Sequence, residues 1–150
     1  MPGPLTTIVS YLLLVGAGIS VALQQVLNAN LRAELGSPWW AGFISYVGGT
    51  LAMLALVITT GEPWLTGIMI ARTSWASWTG GIFGAIFIGI AIMMVPRLGV
   101  ALVLALIIVG QMLGSLAFDH FSLMGVPLHP ANPVRLAGAA FLVLGVILIR

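Results

Sequence analysis

Lysine and cysteine are both missing from this chain, and its only acids are Glu34, Glu62 and Asp119. Without cysteine there are no disulfides, no thiolate metal sites and no thiol catalysis. Without lysine there is no Walker-type phosphate loop, which needs one beside its glycines. Charged residues make up 5% of the sequence, against about 25% in a soluble domain. The permanent cations are Arg32, Arg72, Arg97, Arg135 and Arg150. The sequence pI of about 10.0 reflects these few arginines on an almost uncharged chain. They form no basic patch, so no nucleic-acid partner is expected.

Apolar residues fill that space. They reach 61% of the 150 positions, with a mean hydropathy of +1.20. Long uncharged runs of this kind belong to membrane proteins. The segment before the first run, Met1-Pro-Gly-Pro-Leu-Thr-Thr, has no basic residue and so does not suit a cleaved signal peptide. The run itself is expected to be a retained helix. The hydropathy pattern predicts an all-α integral membrane fold, a single five-helix domain over residues 1–150. Its spans are Thr7–Leu27, Trp39–Thr60, Trp75–Val95, Leu98–Phe118 and Val134–Ile149. The last is short, at roughly 24 Å for 1.5 Å per residue. Ser37 and Pro38 suit the N-cap and first position of the second helix. Pro96-Arg97 reads as a tight turn between the third and fourth.

Trp39, Trp40, Trp64, Trp75 and Trp78 lie at or near span ends, as an interfacial aromatic belt requires. Five spans put the termini on opposite sides. Arg32, Arg97 and Arg150 then share one side, and Arg72 and Arg135 the other. Loop arginines normally fix orientation, yet three against two is nearly a tie. The extra arginine favours Arg32 and Arg97 in the cytoplasm and the N-terminus outside. One charge is too little to impose that on every copy, so insertion in both orientations is expected. Helix association in lipid relies on close packing and polar contacts. Gly80 with Gly84, and Gly110 with Gly114, have the GxxxG spacing that permits it.

No Asp, Glu, Lys, Arg or His falls at the centre of a span. A cation antiporter is expected to hold an acid there, where burial tunes its proton affinity. Amides take that place. Gln24 and Asn28 share a helix face four residues apart, while Gln25 points some 100° away from Gln24. Gln111 is flanked by Gly110 and Gly114, and Tyr46 stands in the second span with Ser45 and Thr50. Each is either interhelical glue or a group lining a solute path. Asp119 and His120, at the end of the fourth span, are either an interfacial pair in water or candidates for proton coupling. The spacing of Asp119, His120 and His129 matches no compact metal motif. No nucleophilic constellation or cofactor fingerprint occurs, so neither enzymatic activity nor a cofactor is expected.

Gly18-Ile-Ser-Val-Ala-Leu-Gln24, Asn28-Ala-Asn-Leu31 and Gly36-Ser37-Pro38 resemble the first helix and turn of the YdcZ-like family. The resemblance continues through Trp78-Thr-Gly80-Gly81, Gly84, Gly99, Gly110-Gln111, Asp119-His120-Phe121, Gly125-Val-Pro127, Gly138 and Gly145. It covers nearly the whole chain. It implies a short, multi-pass bacterial inner-membrane protein of the drug/metabolite transporter superfamily, half the size of its ten-helix members. Gln24, Asn28, Gln111 and Asp119 fall on polar positions that recur in the family. Balanced arginines then imply an antiparallel homodimer, with a heterodimer of paired homologues as the other arrangement. An antiparallel pair supplies the inverted repeat that alternating access uses.

The expected activity is secondary transport of a small organic solute across the lipid bilayer, with Gln24, Asn28, Tyr46 and Gln111 in the path. The rival readings are a dual-topology channel for a small ion and a scaffold or accessory subunit that moves nothing.

Overall fold

The computed structural model describes residues 3–149; Met1, Pro2 and Arg150, and with Arg150 one of the five counted arginines, lie outside the described residues. Among those residues all regular structure is helical. The helices are α1 (Pro4–Leu35), α2 (Pro38–Thr59), α3 (Gly67–Ala71), α4 (Gly80–Leu98), α5 (Val100–Phe121) and α6 (Pro133–Ile149). A 3-10 turn, Trp75–Thr79, leads into α4. Four stretches are long and apolar enough to cross a membrane: α1, α2, α5, and α4 together with its 3-10 turn. The shorter α6, with 17 residues, spans about 26 Å. The chain falls into two compact units, Met1–Pro96 and Arg97–Arg150.

Local chemistry sets most boundaries. Gly36, at φ 67°, ends α1 in the left-handed conformation that glycine adopts without strain. One residue later the Ser37 hydroxyl accepts the Trp40 N–H at 3.3 Å, and Pro38 opens α2 with its fixed φ. The Asn132 side chain likewise accepts the Arg135 N–H at 2.9 Å, capping α6.

Several boundaries differ from the sequence expectation by three residues or more, among them the end of α5 at Phe121, and two of them have a clear physical cause. The first helix does not stop near Leu27 but runs 32 residues, roughly 48 Å. Asn28, Asn30 and Arg32 end the apolar run, but the residues from Asn28 to Leu35 include no glycine or proline to end the helix. Arg32 therefore stands on the helix and not in a loop. The third helix also does not turn at Pro96-Arg97. It continues through Pro96 to Leu98, and the break comes at Gly99, at φ 79°.

Pro96 has no N–H to give to the carbonyl of Ile92, four residues back. Arg32 supplies the missing donor. Its guanidinium Nη1 bonds the Ile92 carbonyl at 3.1 Å. A cation on α1 thus caps the gap that a proline leaves in α4, and ties the two helices together.

The core of the first unit is small. Ala41 of α2 meets Ile88 and Ile92 of α4, with Leu31, Tyr46 and Phe87 packed around them. Only at Gly84 does the approach of α2 to α4 require glycine, since a methyl on Gly42 or Gly89 would make ordinary contact. A methyl on Gly42 would stand 3.5 Å from Ile88 Cγ2, and one on Gly89 would stand 3.5 Å from the Trp39 ring. A methyl on Gly84 would collide with the Tyr46 hydroxyl. A methyl on Gly80, Gly110 or Gly114 would meet no described atom within 4 Å. Of the two GxxxG pairs, only Gly84 has a side chain of another helix against the place of its missing Cβ among the described residues. In the second unit α5 pairs with α6, and Leu116 and Ala139 are buried there.

Arg32→Leu should remove the side-chain donor that bonds the Ile92 carbonyl and cost about 1–3 kcal/mol. Adding Pro96→Ala restores a helical N–H to that carbonyl, so the double variant should recover most of the loss. Thermal unfolding in detergent reads both; equal instability of the single and double variants would rule out the cap.

Candidate functional site

A recess of solute size lies in the first unit. It is a groove of about 490 Å³ to which α1, α2 and α4 each contribute. Its polar wall is Gln24, Ser45, Tyr46 and Thr50; its apolar wall is Met53, Phe87 and Ile88, beside Gly49. A second groove of about 360 Å³ shares Gln24 and Ser45 and adds Ser20 and Asn28. A third, of about 280 Å³, runs beside Tyr46 toward Trp39, Phe43 and Ala85. Among the described residues that line these three grooves, none carries a formal charge. Neutral amides and hydroxyls offer donors and acceptors without the desolvation cost of an ion.

The structure therefore brings Gln24, Asn28 and Tyr46 into one neighbourhood. Gln24 and Asn28 get there by their four-residue spacing on α1, Tyr46 by its place on α2 opposite Gly84. Ser20, Ser45 and Thr50 join them. The sequence contained these residues, but nothing local distinguishes a groove hydroxyl from one that bonds its own helix.

Gln25 had no role in the sequence reading, yet it is fully buried. Neither its Oε1 nor its Nε2 has a hydrogen-bond partner among the described residues. Asn28, 4% exposed, has its Nδ2 in the same condition. Buried amides normally find partners, because an unmade bond costs about 1–3 kcal/mol. Gln25, Asn28 and Arg32 stand at i, i+3 and i+7, on one stripe of α1. The stripe is legible once Arg32 is known to face α4.

Gln111 lies elsewhere. It is exposed on α5, in the second unit, and lines none of these grooves. The recess between α5 and α6, about 350 Å³, is lined by Met112, Leu116, Arg135, Gly138, Ala139 and Leu142.

Asp119 and His120 belong to a clamp on the loop between α5 and α6. The Asp119 carboxylate pairs with the Arg135 guanidinium. The other arm of Arg135 donates to the His129 carbonyl at 2.7 Å. The His129 N–H in turn donates to the Asp119 carbonyl at 3.0 Å. His120 accepts the Ala131 N–H on Nδ1 at 3.1 Å, which puts its ring proton on Nε2. Loop, helix end and helix start are thereby joined through 16 residues of sequence. The clamp gives both side chains a structural use.

Apolar helices of membrane-crossing length around an uncharged, solute-sized recess define an integral membrane protein. The chain belongs to the family described as "Putative inner membrane exporter, YdcZ", which it matches over residues 9–148. It is an inner-membrane protein of a family of transporters, not of enzymes. A search of curated proteins and one of solved structures gave no match.

Asp119→Asn should loosen the clamp and lower stability by about 1 kcal/mol, since the pair is partly exposed and screened. A double-mutant cycle with Arg135→Gln isolates the coupling, measured by unfolding in detergent. A coupling near zero would reduce the pair to a surface contact.

Proposed function

We propose that the chain is a half-size secondary transporter of the drug/metabolite transporter superfamily. It carries a small organic solute and works by alternating access in an antiparallel homodimer. The observation that carries this reading is the uncharged groove of Gln24, Ser45, Tyr46 and Thr50. Membership of an exporter family supports it. The groove holds no carboxylate to exchange a proton against a cation, which favours an uncharged solute. In the pair, two such grooves related by inversion would form one path, reached in turn from either face.

Proteoliposomes loaded with an extract of bacterial small metabolites test the activity, with efflux followed by mass spectrometry. At least one uncharged solute should leave faster than from protein-free vesicles. Gln24→Ala should slow it about tenfold, the value of one hydrogen bond of roughly 1.4 kcal/mol. No protein-dependent efflux would end the carrier reading. Unchanged efflux in Gln24→Ala would remove this groove from the path. Efflux without stimulation by solute on the opposite side would favour a channel.

The near-tie of arginines leads to a separate expectation. Reporters fused to either terminus should give signal from both sides of the membrane. A single clean orientation would exclude the symmetric antiparallel homodimer.

A further inference from the structure

Tyr46 is the one residue common to the polar groove and the aromatic groove of the first unit. On one side of it lie Gln24, Ser45 and Thr50. On the other lie Trp39, Phe43 and Ala85. Its hydroxyl lies so close to Gly84 on α4 that a methyl there would overlap it, whereas the ring carbons would stand 3.5 Å or more away. The conflict is thus confined to one oxygen atom. Glycine at position 84 is the seat that lets the phenol reach across from α2 to α4.

We propose that Tyr46 is a specificity-determining residue: its phenol, seated on Gly84, divides one cleft along α2 into a polar compartment and an aromatic one. Resting on the reading of the polar groove as the solute path, this assigns a substrate class. The polar compartment takes compact, uncharged solutes that offer hydrogen-bonding groups to Gln24, Ser45 and Thr50. Longer molecules with a second apolar group need the aromatic compartment, and the phenol blocks them. Discrimination by size in such a pocket is worth about 10- to 200-fold per small group.

The absence of cysteine makes a direct test available, because a single reporter thiol needs no background removed. Thr50 lies one turn from Tyr46 on the same face of α2. A Thr50→Cys reporter in reconstituted protein is labelled with two uncharged reagents, methyl and benzyl methanethiosulfonate. The ratio of their rates reads the room beside position 46. Tyr46→Ala should raise the benzyl-to-methyl ratio about tenfold, and Tyr46→Leu should raise it by less. Tyr46→Phe keeps the ring and should leave it near the parent value. Gly84→Ala should shift the ratio by pushing the phenol off its seat. Adding Tyr46→Phe removes the overlapping oxygen, and should return the ratio to that of Tyr46→Phe alone.

A ratio insensitive to both Tyr46→Ala and Tyr46→Leu would overturn the partition. A Gly84→Ala/Tyr46→Phe protein that still behaves like Gly84→Ala would overturn the seat. Labelling needs no transport, so the two readings fail separately. Absent efflux with the expected labelling pattern counts against the transporter alone. Efflux with insensitive labelling counts against the partition alone.

Discussion

In hydrocarbon, a peptide carbonyl that loses its helical donor has no water to turn to. Pro96 creates such a carbonyl at Ile92, and Arg32 answers it from a different helix. Much of the first unit follows from that one bond. It fixes the rotation of α1, so that the stripe of Gln25 and Asn28 turns inward and both are buried. The same rotation leaves Gln24 at the edge, where it meets Ser45 and Tyr46 in the groove. It also gives Arg32 a role besides orientation. An arginine that bonds a backbone carbonyl is a structural part as well as a topological marker.

Short-range features of the fold were legible from the residues, and long-range ones were not. Ser37 and Pro38 act within one turn of chain, so the start of α2 could be read directly. The end of α1 could not, because hydropathy marks where a helix leaves the membrane and not where it stops being a helix. Pro96 reads as a turn when its partners are unknown; only Arg32, 60 residues earlier, shows how the helix survives it. The pairing of Asp119 could not be read either, because its partner Arg135 lies 16 residues on. Gln25 hides for a related reason. Its neighbour Gln24 has the clearer i, i+4 partner, and the significance of the Gln25 stripe depends on the direction Arg32 faces.

The candidate site was legible in its composition but not in its extent. The amides Gln24 and Asn28 stood out because polar groups are few in these spans. The hydroxyls of Ser45 and Thr50 could be noted beside Tyr46 but not given a use, since Ser and Thr often bond their own helix, as Thr59 does to Ala55. What unites the groove is the lack of charge. Recognition there must come from shape and from neutral hydrogen bonds, in which a misplaced partner costs more than an ideal one contributes. That makes the steric boundary at Tyr46 as important as any polar contact.

The length of α1 has a mechanical consequence. Its side chains from Ile8 to Ser20 are all exposed, while Arg32, near the other end, is tied to α4. Such a helix is a beam clamped at one end. Gln24 lies eight residues from the clamp, roughly 12 Å, so a 10° pivot about Arg32 would move it by roughly 2 Å. Thr7 would swing about three times as far. A modest push on the free end by lipid or a neighbouring helix would thus be scaled down to an ångström-sized adjustment at the groove, the range over which a hydrogen bond is made or lost.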